Sequence, residues 1–260
     1  MPRFHEKALE AYAKAGWRLY PCIPGTKKPV IKDYYQQATN DVGQLLKWRD
    51  QWPDANFGVV TGKASGIVAL DVDFPSGFHA LRALEEAFTE LDHGSLIQAT
   101  PNRGWHVIFR APDRALPSRP KLLGYGLEFR AENAAILLAP SFVANSEFET
   151  YSWTFEDVVE RIKNPLPLPR WILELIEHAE KTKPVANVLR AARDASFVGL
   201  IAWLRGQKEG NRNAALFWSA KRLFEAGLPI SEAMLHLSSA ARETGLQDKE
   251  IESTIRSAYK

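Results

Sequence analysis

The sequence predicts an α+β fold: a front domain built on a mixed or antiparallel sheet, then a small all-α helical bundle. Three observations carry this. Short apolar or alternating runs bounded by Gly and Pro recur through the front of the chain, as strands do. Amphipathic helical stripes are interspersed among them. Beyond about residue 185 everything has helical period. K-T-K-P (181–184) reads as a linker. The expected boundaries are therefore 1–180 for the front domain, 181–195 for the linker and 196–260 for the helical domain.

Taken in order, residues 4–15 form an amphipathic helix with Phe4, Ala8, Leu9 and Tyr12 on one stripe, ended by Gly16. W-R-L-Y follows as a short strand. The Pro/Gly loop P-C-I-P-G-T-K-K-P-V carries Lys27 and Lys28. Thr39, Asn40 and Asp41 mark the start of a helix running through Leu45, Leu46 and Trp48. W-P-D-A-N-F-G-V-V-T-G leads from a loop into a strand closed by Gly62.

The run I-V-A-L-D-V-D (67–73) is short, apolar and β-branched, and Gly66 and Pro75 bracket it, so it reads as a buried strand. Alternation puts Val68, Leu70 and Val72 on one face. Ile67, Ala69, Asp71 and Asp73 take the other. Residues 77–88 are helical, with Ala80, Leu81, Leu84 and Phe88 as the apolar stripe. T-P-N-R-G (100–104) is a turn. W-H-V-I-F-R (105–110) alternates, with Trp105, Val107 and Phe109 opposite His106, Ile108 and Arg110. After a loop over 111–124, G-L-E-F-R (126–130) sets Leu127 and Phe129 against Glu128 and Arg130. A-A-I-L-L-A-P-S (134–141) is a further strand, and Tyr151 and Trp153 open a last extended piece. Pro165, Pro167 and Pro169 lead into the helix W-I-L-E-L-I-E-H-A-E. The back of the chain is helical over 211–226, 231–243 and 248–259. Ser231, Glu232 and Asp248 stand at starts, and Gly227 and Gly245 at stops.

The chain has 260 residues, 45% hydrophobic and 25% charged, within the range of a water-soluble globular protein. A net charge of +2 neither demands nor excludes nucleic acid, because a local basic groove can sit on a neutral protein. Cys22 is the single cysteine, so no internal disulfide and no Cys-rich zinc site can form, which fits a reducing cytoplasm. No apolar run reaches the ~18 residues of a membrane span. The N-terminal M-P-R-F-H-E-K lacks a signal-peptide apolar region.

Four features carry chemistry. Asp71 and Asp73 share a strand face, with Cα atoms roughly 6–7 Å apart. Buried carboxylates are costly unless paired or metal-bound, and two at a strand end can hold a pair of divalent ions for phosphoryl or nucleotidyl transfer. The plain alternative for D-x-D alone is an acidic strand end capping a turn. His106 opens a strand just after a Gly turn that contains Arg103. Glu128 and Arg130 share a face of another strand, and Pro140-Ser141 ends a third. Singly, each has an ordinary reading: a core histidine, a solvated glutamate, solvated lysines.

Together and in this order they resemble the bifunctional DNA primase/polymerase family of the archaeo-eukaryotic primase superfamily. A-K-A-G-W-R-L-Y-P-C-I-P-G-T-K-K-P is similar to that family's opening. W-P-D-A-N-F-G-V-V-T-G and S-G-I-V-A-L-D-V-D are similar to its next block. T-P-N-R-G-W-H-V-I-F resembles its Gly-x-His motif, and G-L-E-F-R with L-A-P-S resembles its third acidic motif. The likeness spans about residues 8–175. Two departures stand out: Asn102 and Trp105 flank Arg103-Gly104 where the family reads closer to T-P-R-G-G-x-H, and Glu128 stands where Asp is common. E-G-N-R-N-A-A-L-F-W-S-A-K-R-L-F-E-A-G-L and L-Q-D-K-E-I-E-S-T-I-R-S-A-Y resemble the helical domain C-terminal to such primases, linked there to primer initiation; the alternative is a plain three-helix bundle.

The resemblance implies an RRM-like catalytic core and a primase/polymerase that makes primers and extends them on a single-stranded or primed DNA template, with NTP or dNTP as substrate. Asp71, Asp73 and Glu128 would bind two Mg²⁺ or Mn²⁺ ions. His106, Arg103, Arg130 and Ser141 would contact the nucleotide triphosphate, with Lys27, Lys28 and Lys63 as further nucleotide or template contacts. Arg212, Lys221, Arg222 and Arg256 are the helical domain's candidate DNA contacts. No G-x-x-x-x-G-K-[ST] occurs, so a separate replicative helicase is the expected partner. A cytoplasmic location in a bacterium, or a plasmid or phage origin, is expected, with no membrane role. Two other readings stay open: a metal-dependent nuclease using the same carboxylates, and a DNA-binding replication-initiator module with weak catalysis.

Overall fold

Local chemistry sets the first elements. In the computed structural model, which describes residues 4–92, 94–119, 122–144, 146–148, 150–178, 183–225 and 227–260, helix α1 (Glu6–Lys14) buries Leu9 and Tyr12. Strand β1 (Leu19–Cys22) and a short α2 (Tyr34–Gln37) follow. Helix α3 (Val42–Gln51) starts where Asp41 Oδ1 accepts the Gln44 N–H at 2.7 Å, an N-cap that satisfies an otherwise orphaned donor. Then come β2 (Asn56–Val60), β3 (Ile67–Val72), α4 (Ser76–Ala87), β4 (Leu96–Ala99), β5 (Trp105–Arg110), β6 (Leu127–Arg130), β7 (Ala135–Leu137) and β8 (Ser152–Trp153). The helices α5 (Val158–Lys163), α6 (Arg170–His178), α7 (Lys183–Arg205), α8 (Arg212–Glu225), α9 (Ile230–Glu243) and α10 (Asp248–Ala258) complete the chain.

The strands form two antiparallel sheets, ordered β1-β2-β7 and β6-β3-β5-β4-β8. This is the α+β, RRM-like core followed by a helical region that the sequence led us to expect, with the sheets antiparallel among the described residues. The alternation in β3 sorts its side chains as anticipated. Val68, Leu70 and Val72 join Leu81, Leu84, Phe109, Phe129, Ile172 and Leu175 in a core covered by α4 and α6. Ile67 and Ala69 join Leu9, Leu45, Phe57 and Ile108 in a second core, under α1, α3 and the three-stranded sheet. A strand buried on both faces needs the near-continuous apolar run seen in I-V-A-L. The two aspartates lie on the second face, at the end where the run stops.

Two strand-and-helix readings need correction. Strand β4 and helix α5 were not anticipated. The four residues of β4 include a buried glutamine, which masks the strand pattern. The expected linker, 181–195, begins with residues outside the described ones and is helical from Lys183 on. Packing is the reason: Leu189 and Ala192 bury in the same cluster as Ala80, Leu81 and Leu84. Further along the same helix, Leu200 and Leu204 enter the core of the bundle formed with α8, α9 and α10. Helix α7 thus belongs to both cores.

Candidate active site

Register brings the chemistry together. Asp71 lies directly opposite His106 on β5 and directly opposite Glu128 on β6, and His106 lies opposite Gln98 on β4. Directly opposed residues in antiparallel strands share a face and stand within about 5.5 Å. Glu128, Asp71, His106 and Gln98 therefore form one row across the sheet. Asp73 sits just past the last rung of β3. Its N–H donates to Gly126 O and its carbonyl accepts from the Gly77 N–H, both at 2.7 Å, so its backbone is clamped.

The row ends in a fixed imidazole. Gln98 is fully buried; its Oε1 accepts the Ala139 N–H at 2.6 Å and its Nε2 donates to Leu137 O at 2.8 Å. The amide orientation is thereby set, so the 2.9 Å contact between Gln98 Nε2 and His106 Nδ1 is a donation to the ring. Nδ1 is the acceptor, and Nε2 carries the proton, 3.5 Å from Asp71 Oδ1. Burial, with Lys27 and Arg130 adding to it and Asp71 opposing, holds the imidazole down to about 4. His106 is thus a neutral donor at neutral pH.

The carboxylates are held by guanidiniums. Arg130 Nη2 lies 3.1 Å from Asp71 Oδ2 and 2.6 Å from Glu128 Oε2. Arg222 Nη2, from the bundle, lies 3.0 Å from Asp73 Oδ2. Burial pushes Asp71 up, but the facing His106 and Arg130 outweigh it and its carboxyl is held below the usual range. Burial wins at the other two: it raises Asp73 against the pull of Arg222, and raises Glu128 against that of Arg130.

Hard divalent cations take carboxylate oxygens, and three carboxylates at one strand end suit Mg²⁺ or Mn²⁺ in donor type. Among the described residues, however, no three His, Cys, Asp or Glu side chains are gathered tightly enough to enclose an ion. Here arginine supplies the positive charge at each carboxylate.

Residues 8–171 match the family model described as Bifunctional DNA primase/polymerase, N-terminal. The chain belongs to this bifunctional DNA primase/polymerase family. Residues 201–260 match a second model, Primase C terminal 1 (PriCT-1). No curated protein matches the chain. Family membership makes it a replication protein of the DNA primase/polymerase type, a nucleotidyltransferase whose substrates are DNA and nucleotides. Among the described residues no helix is long and apolar enough to cross a membrane.

Around this row the other expected residues scatter. Lys27 is exposed on its loop, and its charge acts on Asp71, Asp73 and His106. Lys28 and Lys63 are exposed, and the Lys63 N–H donates to Glu132 Oε1 at 2.7 Å. Arg103 pairs with Glu147 and lies over the rings of Phe74 and Phe148, at 5.9 and 5.7 Å. Ser141 is buried and its hydroxyl bridges the Phe57 N–H and C=O at 3.2 Å, which pins β2. The one O–H of Ser141 is thus given to the backbone.

In the bundle, Arg212 donates to Thr244 O at 3.0 Å, Lys221 lies over Phe224 and Arg256 pairs with Glu252. Arg222, expected to contact DNA, faces Asp73. The sequence reading missed Gln98 altogether, since a lone glutamine belongs to no motif; only the pairing of β4 with β5 gives it a role.

Two results are expected here. Gly104 allows the start of β5 to close on the end of β3, because a Cβ there would stand 2.5 Å from Val72 O and 2.8 Å from Thr100 Oγ1. Gly104→Ala should cost about 1–3 kcal/mol and lower incorporation by displacing His106 from Asp71. Thermal melts and a primer-extension assay check this, and an unchanged variant contradicts it. Second, NMR titration should place the His106 midpoint near 4, far below its ordinary 6.5. Between those values the unfolded chain takes a proton that native His106 refuses, so stability falls as pH drops through that window. A midpoint near 6.5 would contradict the buried, Gln98-bound ring.

Proposed function

We propose that the chain is a template-directed DNA primase/polymerase that makes primers on single-stranded DNA and extends primed template by two-metal nucleotidyl transfer. The observation that carries this reading is the row of Glu128, Asp71 and His106 across three strands, with Asp73 clamped beside it. Asp71, Asp73 and Glu128 would hold two Mg²⁺ or Mn²⁺ ions, which supply charge stabilisation for the attacking and leaving oxygens. The primer 3′-oxygen attacks the α-phosphorus of an NTP or dNTP, pyrophosphate leaves, and the hydroxyl proton passes to solvent water. His106, kept neutral by burial and oriented by Gln98, donates its Nε2–H to a triphosphate oxygen. Arg130 trades its carboxylate partners for phosphate oxygens, a match to its planar fork. Lys27 draws the polyanion in through long-range attraction.

A separate helicase and a cytoplasmic setting in a bacterium, plasmid or phage system complete the proposal. The initiator-module reading has one observation in its favour, the guanidinium on every carboxylate. Incubation of the full chain with single-stranded DNA, each metal and each nucleotide type separates the readings. New primers support the proposal. DNA binding with no product favours the initiator, and cleavage of labelled DNA without synthesis favours a nuclease.

A further inference from the structure

We propose that Arg222 is a clasp: it holds the helical bundle closed over the catalytic carboxylates through Asp73, and it lets go when Asp73 turns to a divalent cation. The inference rests on the catalytic reading above and adds a conformational device to it.

The contact is aimed. Arg222 lies over the Trp218 ring at 5.1 Å and has Glu225 at 3.9 Å, so its guanidinium is braced from its own helix while it reaches Asp73 at 3.0 Å. It is also placed where it matters. Arg130 holds Asp71 and Glu128 from within the sheet, and Asp73 is paired with the bundle. Between the two parts lies a cavity of about 60 Å³, with Ser76, Gly126 and Glu128 on one side and Phe197, Leu200 and Arg222 on the other. That holds a few waters, against roughly 300–1,000 Å³ for a pocket that takes a small-molecule ligand. As it stands, the cavity beside Glu128 is of water size.

The bundle's apolar core and the core beneath α4 share no residue. Helix α7 joins them, giving Leu189 and Ala192 to one and Leu200 and Leu204 to the other. Across the cleft α7 itself meets the sheet domain through the Tyr125 ring edge-on to Phe197 at 4.6 Å, the Tyr125 N–H donating to Ser196 Oγ at 3.3 Å and Gly199 close against the His79 ring, and from α8 the described ion pair across it is Arg222 with Asp73. Arg222 and Asp73 are 34% and 32% exposed, so solvent screens their attraction and the exchange of partners is cheap.

One carboxylate cannot serve a guanidinium and a cation equally well at once. Linkage then requires reciprocity: whatever factor the cation takes from the clasp, loss of the clasp returns to cation affinity. For a partly exposed ion pair that factor is about fivefold.

The test uses the full chain. Mn²⁺ binding is followed by the resonance of the free ion in wild type, Arg222→Gln and Asp71→Asn/Asp73→Asn. Separately, fluorophores at Lys32→Cys and Lys249→Cys, both exposed while native Cys22 is buried, report the distance between sheet domain and bundle with and without Mg²⁺. The expected result is Mn²⁺ binding about fivefold tighter in Arg222→Gln, a distance that Mg²⁺ changes in the Arg222 chain, and one already changed and insensitive to Mg²⁺ in Arg222→Gln. If the double asparagine variant loses Mn²⁺ binding but the distance never responds, or Arg222→Gln binds no tighter, the clasp is overturned and the catalytic reading stands. If Mn²⁺ binding ignores the double variant, both fall.

Discussion

Asp71→Ala combined with Asp73→Ala is expected to lower nucleotide incorporation by about 10³-fold or more, the scale of losing metal-ion charge stabilisation at a transition state. Both side chains sit at the open end of β3, and their removal leaves no apolar cavity. The two sites differ in their effect on stability. Burial raises Asp73 above its ordinary value, so its ionised form is disfavoured in the folded chain and a neutral replacement there costs little beyond the partly exposed pair with Arg222. Asp71 is lowered, so its charge contributes to stability at neutral pH, and its loss strands Arg130 and His106. The double variant should therefore melt slightly lower, with the drop traced to Asp71 by single substitutions. Full activity in the double variant would overturn the site.

The second large effect separates the bundle from the catalytic domain. A chain ending near residue 185 removes Leu189 and Ala192 from the core beneath α4. Losing a buried aliphatic side chain of that kind costs about 2–5 kcal/mol, a large share of a domain's stability. That truncation is expected to unfold or aggregate. A chain ending at Gly206 keeps α7 whole and also removes Arg222. It should extend an existing primer at least as well as the full chain, yet start new strands at least about tenfold less often. Starting a strand means holding two nucleotides and a template with no duplex to help, and such positioning is worth up to ~7–11 kcal/mol. Dinucleotide formation on single-stranded DNA, measured for both lengths, checks this. Equal initiation would make the bundle a partner-binding element.

Much of the fold and part of the site were legible because period and motif are local properties. The alternation in I-V-A-L-D-V-D assigned each face of β3 before any contact was known, and both cores respect it. His106 and Glu128 were singled out separately, and register then placed both opposite Asp71. What escaped depends on long-range pairing. Gln98 matters because β4 runs beside β5. The partners of Ser141, the N–H and C=O of Phe57, lie far back in the chain. Arg222 reads from its helix as a candidate DNA contact; nothing in its own helix says that the face closes on Asp73. K-T-K-P reads as a linker because Thr and Pro are poor helix-interior residues and the run has no apolar stripe, whereas the stripe that commits α7 begins at Val188 and Leu189.

The central claim is that Asp71, Asp73 and Glu128 are one cation site for nucleotidyl transfer. It is tested most directly by anomalous diffraction from crystals of the full chain soaked with Mn²⁺ and a non-hydrolysable dNTP. The account predicts Mn²⁺ peaks on oxygens of all three carboxylates, Arg222 withdrawn from Asp73, and His106 Nε2 against a triphosphate oxygen. Mn²⁺ bound elsewhere, with Arg130 and Arg222 still on their carboxylates and the nucleotide away from His106, would contradict it.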